Sequence, residues 1–77
     1  MTDNVAEAFR KAMRLKESFA IADRMSFDDI PGWDSVGHMS LVTELETQFG
    51  ITLDMEEIVG LDSVGAVRAA VARKSTT

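Results

Sequence analysis

The sequence predicts an all-α fold: a small four-helix bundle with three main helices, one short helix and a long loop between helices 1 and 2. Two observations predict it. Apolar residues recur at spacings of three and four along most of the chain, and no stretch alternates apolar and polar residues for long. With 77 residues and 45% hydrophobic content, the chain has room for one modest core. We therefore expect residues 1–77 to form a single domain.

The first helix is predicted over residues 4–16, with an apolar stripe made of Val5, Ala8, Phe9, Ala12 and Met13. Thr2 or Asp3 would cap this helix, because a side-chain oxygen can accept a free backbone N–H at a helix start. Residues 17–33 then form a long loop, with room for an extra helical turn over 17–22. Such a loop needs anchoring. We expect its large apolar side chains to be tied to the core: Phe19, Ile21, Phe27, Ile30 and Trp33.

The second helix is predicted over residues 35–49, between Asp34 as N-cap and Gly50, which suits a left-handed C-terminal cap. Residues that recur every four positions should face the core: Leu41, Leu45 and Phe49. Residues on another side, at least about 100° around the helix axis, should not be needed for the core: Val36, Met39 and Thr43.

A short third helix is predicted over residues 55–60, and a fourth helix over 63–73. Asp54 and Glu57 have the spacing of a capping box, and Gly60 would end the third helix. The apolar residues of the fourth helix should face inward: Val64, Val67, Ala70 and Val71. From about residue 73 to the end, we expect a frayed tail.

The layout of charge limits the class of partner. The net charge is −5, and nine acidic residues but no basic ones lie between Arg24 and Arg68. This region repels phosphate backbones, so we expect no nucleic-acid partner, whereas a basic protein surface would suit it. A solvated acidic face that only aids solubility is the simpler alternative. The chain has no cysteine and no apolar run long enough to span a bilayer. We expect a cytoplasmic monomer that does not insert into membranes.

Two copies of the tetrapeptide Asp-Ser-Val-Gly stand at predicted helix starts, at residues 34–37 and 62–65. Such a serine is usually only a helix cap, and this explains Ser63 adequately. Ser35 follows a Pro-Gly-Trp turn and begins the longest periodic helix. Its hydroxyl could project outward beside free N–H groups, where the helix dipole would stabilise a phosphodiester by about 0.3–1 kcal/mol. Gly37 would leave room for a bulky group beside Ser35.

The segment GWDSVGHMSLVTELETQFGITLD resembles the central part of acyl and peptidyl carrier proteins, and the resemblance extends over nearly the whole chain. In that family the serine hydroxyl attacks the pyrophosphate of coenzyme A within a phosphopantetheinyl transferase. The serine thereby acquires a 4′-phosphopantetheine arm, which carries an acyl or aminoacyl group as a thioester. The resemblance implies that the protein is a carrier rather than an enzyme. It also implies that Ser35 is the attachment point and that Asp34 helps to position it and contributes to the transferase's metal site.

The resemblance further implies a face that docks the transferase, a loading ligase or transferase, and downstream biosynthetic enzymes. Its expected residues are Val36, Gly37, His38, Met39, Thr43, Glu44 and Glu46, with His38 facing solvent or a partner. Gly37 and Ser40 replace residues that are commonly acidic in fatty-acid carriers. This favours a specialised pathway, with polyketide, extender-unit, envelope or aminoacyl cargo, over housekeeping fatty-acid synthesis.

Two rival functions use the same residues. A hydrolase would pair Ser35 with His38, three residues away, but no third residue is placed to orient the histidine and no strand precedes the serine. A metal site is disfavoured by the single histidine and the lack of a calcium-loop pattern. The serious competitor is a helical adaptor whose acidic face binds a basic partner without any covalent arm.

Overall fold

A computed structural model describes residues 3–75 as a bundle of four helices. They are α1 (Asn4–Met13), α2 (Ser35–Phe49), α3 (Met55–Val59) and α4 (Val64–Ser75). No strand occurs among these residues, so the predicted all-α class is confirmed. The core lies between α1, α2 and α4, and the intervening loops complete it. Its buried members are Val5, Ala8, Phe9, Ile30, Trp33, Leu41, Val42, Leu45, Leu53, Leu61, Val64, Val67, Ala70 and Val71.

The first helix ends three residues earlier than predicted. Arg14 adopts a left-handed conformation with φ of 56°, and the Leu15 N–H donates to the Arg10 carbonyl at 2.8 Å. These are the features of a Schellman cap, which usually contains glycine. The helix begins as expected, because an Asp3 side-chain oxygen accepts the Ala6 N–H at 3.1 Å. Thr2, the alternative cap, lies outside the described residues.

The long loop between α1 and α2 is held by buried side chains and by the start of α4. Ile30 and Trp33 are buried, whereas Phe27 is 44% exposed and lies on the surface beside Trp33. The Val64 and Gly65 N–H groups donate to loop carbonyls, each at 2.9 Å. The extra helical turn over 17–22 is not present; a single turn, from the Phe19 N–H to the Lys16 carbonyl, replaces it.

Arg68, on α4, joins the start of the described chain to this loop. Its guanidinium donates to both carboxylate oxygens of Asp3, at 2.7 and 2.6 Å, and also pairs with Asp23. The bond from Arg68 lowers the pKa of Asp3 to about 2. Asp3 in turn raises the pKa of Arg68 above its ordinary value. This bidentate, charge-assisted ion pair therefore connects the start of α1 to α4.

The third helix is short, and its capping box forms as predicted between Asp54 and Glu57. Glu57 also accepts a bond from Lys74 at 2.8 Å, and this interaction lowers the pKa of Glu57. The fourth helix begins at Val64 and continues to Ser75. The prediction of a frayed tail from residue 73 is therefore wrong as far as Ser75, and residues 76–77 lie outside the described part.

Candidate functional site

The two Asp-Ser pairs start their helices in different registers. At α2, the Asp34 carboxylate is the cap and accepts the Gly37 N–H at 2.9 Å, so Ser35 is the first helical residue. At α4, the Ser63 hydroxyl accepts the Ala66 N–H at 3.1 Å. Relative to the tetrapeptide, α4 consequently begins one residue later than α2. In the same tetrapeptide, Ser35 is thus the first residue of its helix, whereas Ser63 is the N-cap.

This register decides which serine is free. Ser35 is exposed, and its hydroxyl makes no hydrogen bond to any residue from 3 to 75. The backbone N–H groups of Ser35 and Val36 likewise have no partner within that range. At α4 the corresponding N–H groups, those of Val64 and Gly65, donate to loop carbonyls. The start of α2 therefore presents a hydroxyl and two donors to solvent.

Gly37 is buried, contrary to the expectation that it leaves space beside the serine. A Cβ at this position would lie 1.9 Å from the Gly32 carbonyl oxygen and 2.8 Å from the Met13 sulfur. The glycine therefore permits close contact between α2 and the Pro31–Gly32 turn. It does not make room for an attached group, and as a buried residue it is no part of an exposed docking face.

His38 is half-buried and bridges three elements, so it does not face solvent freely, and its expected part in docking a partner stays a prediction. The Trp33 indole N–H donates to His38 Nδ1 at 2.8 Å. His38 Nε2 lies 2.9 Å from the Ile58 carbonyl oxygen. Because both ring nitrogens are bonded elsewhere and neither bonds to Ser35, the Ser-His pair of a hydrolase is not formed.

A surface groove of about 610 Å³ adjoins Ser35. Residues of the long loop, of α2 and of α3 line it: Phe27, Trp33, Asp34, Ser35, His38, Met39 and Val59. The rings of Phe27 and Trp33 are in contact, with centroids 4.6 Å apart. The groove is thus an apolar, partly aromatic surface that begins at the serine.

The other residues expected at a docking face lie in two different environments. Val36 and Met39 are 77% and 54% exposed, and Thr43 is also exposed. Glu44 is turned toward α1, where its carboxylate lies 3.8 Å from the Lys11 ammonium. Glu46 accepts the Leu53 N–H at 2.9 Å, about 16 Å along the helix axis from Ser35. The two acids are therefore engaged within the chain and lie away from the serine.

Sequence reasoning missed two exposed apolar residues on α3. Met55 and Val59 are each 74% exposed, and Val59 lines the groove beside Ser35. Their spacing of four places them on one side of the helix. Ile58, which packs against the core, lies on another side. That spacing is the signal that could have identified them, although five residues give too short a pattern to separate faces.

Residues 3–75 contain no group of three or more histidine, aspartate or glutamate side chains placed to hold a metal ion. Within the same range, no helix combines the length and apolar character that crossing a bilayer requires.

The comparisons with known proteins agree with this geometry. The family model described as "Phosphopantetheine attachment site" matches residues 3–71. A solution structure of a holo acyl carrier protein from Geobacter metallireducens superposes with a TM-score of 0.83 at 30% identity, covering 94% of this chain and 82% of that one. No curated protein sequence matches. The chain therefore belongs to the phosphopantetheine-binding family of carrier proteins, which are not enzymes but carry 4′-phosphopantetheine as a prosthetic group added by a transferase.

Proposed function

We propose that Ser35 carries the 4′-phosphopantetheine arm and that the protein delivers acyl or aminoacyl groups, as thioesters, within a specialised biosynthetic pathway. One observation carries the assignment of the serine. Of the two Asp-Ser pairs, only the first leaves its hydroxyl and the first two N–H groups of its helix unengaged within residues 3–75.

The start of α2 suits attachment through a phosphodiester. In the transfer, the Ser35 oxygen bonds to the pantetheine-side phosphorus of coenzyme A, the bond from that phosphorus to adenosine 3′,5′-bisphosphate breaks, and the serine proton passes to a base of the transferase. The arm then supplies the thiol that holds the cargo. Ser35 presents an exposed, unbonded hydroxyl at a fixed helix end. The free N–H groups there would stabilise the attached phosphate by about 0.3–1 kcal/mol.

Asp34 is placed to serve the same reaction. Its Oδ1 accepts the Gly37 N–H, which fixes Ser35 as the first helical residue. The side chain is exposed, and its Oδ2 accepts no hydrogen bond from the described residues. A free carboxylate oxygen is a ligand that Mg²⁺ prefers. Asp34 would therefore contribute to the metal site of the transferase complex.

Partner enzymes would dock on the exposed apolar residues around Ser35, which are Val36, Met39 and Val59, with Thr43 at the edge. The first nine residues of α2, 35–43, contain no Asp, Glu, Lys or Arg. Glu44 is paired with Lys11 on the side of α1 and Glu46 bonds to the Leu53 N–H near the far end of α2, so neither would place its charge beside Ser35. Partners that depend on a run of acidic residues would bind poorly, which favours a specialised pathway over housekeeping fatty-acid synthesis.

Incubation with a broad-specificity phosphopantetheinyl transferase and coenzyme A tests the assignment. The intact mass of the wild type should rise by one phosphopantetheine. Ser35→Ala should abolish the rise, and Ser63→Ala, the matched control from the second tetrapeptide, should retain it. A wild type that gains no mass would favour the adaptor, which binds a basic partner without an arm.

A further inference from the structure

We propose that a chain tethered at Ser35 lies outside the bundle, in the groove beside the serine, because a hydrogen-bonded bridge from Trp33 through His38 to Ile58 closes the gap between α2 and α3. The inference rests on the proposed attachment at Ser35. An attachment site alone does not determine whether the cargo lies in the core of the bundle or on its surface.

The bridge joins three elements through one imidazole ring. The Trp33 indole nitrogen can only donate, so His38 Nδ1 must accept, at 2.8 Å. The Ile58 carbonyl can only accept, so His38 Nε2 must carry the proton, at 2.9 Å. The neutral ring with hydrogen on Nε2 satisfies both bonds at once. The loop, α2 and α3 are therefore connected directly at the inner wall of the groove.

The side chains behind this bridge are buried. Trp33 is 3% exposed, and its ring makes an edge contact with Phe9, with centroids 4.9 Å apart. The largest side chains deeper in the bundle are fully buried as well, including Leu41, Leu45, Leu61 and Val67. A chain that entered between α2 and α3 would have to break both bonds of His38 and displace packed side chains. Overpacking of this kind is unfavourable in protein cores.

The groove offers an outer surface of suitable chemistry. It starts at Ser35, so a tethered group reaches it without crossing the protein. Phe27, Met39 and Val59 expose apolar surface there. The acidic side chain in the lining is Asp34, at the attachment end. The groove therefore suits an uncharged apolar or aromatic acyl group and disfavours a cargo that ends in a free carboxylate.

The test compares the protein carrying an octanoyl thioester with the same protein carrying the free thiol. Intact mass first establishes that both were loaded. Methyl and amide NMR should then show shifts at the groove residues Met39 and Val59, with the core residues Leu45 and Val67 unchanged. The Trp33 indole N–H should stay protected from exchange with solvent, because its bond to His38 remains intact. A succinyl thioester, which ends in a carboxylate, should shift the groove signals less.

Variants of His38 test the bridge itself. His38→Ala should allow the octanoyl chain to reach the core, so that Leu45 and Val67 now shift on loading. His38→Gln can accept from Trp33 and donate to Ile58, and it should restore the wild-type pattern. If His38→Ala does not fold, the wild-type and His38→Gln spectra still decide where the chain lies.

Several outcomes would overturn the inference. Shifts at Leu45 and Val67 in the wild type would place the cargo in the core. Groove signals that stay unchanged on loading, or that change only when a partner enzyme is added, would show that the groove does not hold the cargo. The role of the bridge would be refuted by a folded His38→Ala variant in which the Leu45 and Val67 signals do not shift when the octanoyl chain is loaded. A wild type that gains no mass would refute the attachment itself, and the inference with it.

Discussion

Replacing Gly37 by alanine should destabilise the protein although alanine is the better helix former. The Gly37→Ala change would gain about 1 kcal/mol in helix propensity. The new Cβ, however, would lie 1.9 Å from the carbonyl oxygen of Gly32, so the two atoms would have to move apart by about 1.5 Å to reach ordinary van der Waals contact. Overpacking costs about 1–3 kcal/mol, and the upper end applies because the obstructing atom belongs to the backbone.

We therefore expect a net loss of about 2 kcal/mol in the free energy of unfolding, or about 8–16 °C in Tm for a domain of this size. Urea and thermal denaturation followed by circular dichroism measure both quantities. Gly60→Ala is the matched control, since its Cβ would meet only carbonyl oxygens at 3.5 and 3.6 Å and its φ is −78°. That variant should be unchanged or gain up to about 1 kcal/mol. Equal stability of Gly37→Ala and the wild type would refute the reasoning.

Three further predictions follow from burial, capping and charge. Leu45→Ala should lower the free energy of unfolding by about 2–5 kcal/mol in chemical denaturation, because Leu45 is fully buried; a loss below 1 kcal/mol would contradict its place in the core. Ser63→Ala should cost about 0.5–2 kcal/mol through loss of the α4 cap, whereas Ser35→Ala should change stability by less than about 0.5 kcal/mol. A large loss for Ser35→Ala would mean that its hydroxyl is structural. Arg68 lowers the pKa of Asp3 from 3.8 to about 2. The contribution of this ion pair to the free energy of unfolding should therefore be fully present above about pH 4 and should be lost as the pH falls toward 2. Asp3→Asn retains a capping side chain without the charge, so it should weaken this pH dependence in urea titrations; an unchanged profile would assign acid sensitivity to other groups.

The helices could be predicted from the sequence because their apolar spacing and polar caps are local signals. Asp34 and Gly50 delimit α2 as predicted. The end of α1 could not be predicted in the same way, since Arg14 adopts the left-handed conformation that glycine usually signals. The end of α4 was also missed. Lys74 forms an ion pair with Glu57, seventeen residues earlier in the chain. A tertiary contact of this kind cannot be recognised from the spacing of apolar residues.

The candidate site was predicted in part. The exposure of Val36 and Met39 follows from helical spacing. The burial of Gly37 depends on how closely the preceding turn approaches α2, and the role of His38 depends on Trp33 and on the carbonyl of a residue twenty positions away. Spacing along one helix cannot reveal contacts of this kind.

The setting of Trp33 has a practical consequence. The chain contains one tryptophan and no tyrosine, so its near-ultraviolet emission comes almost entirely from a single indole. That indole is two residues from Ser35 and bonded to His38. Loading of the serine, or the approach of a partner to the surrounding surface, should therefore alter the intrinsic fluorescence, and titrations can be followed without a dye.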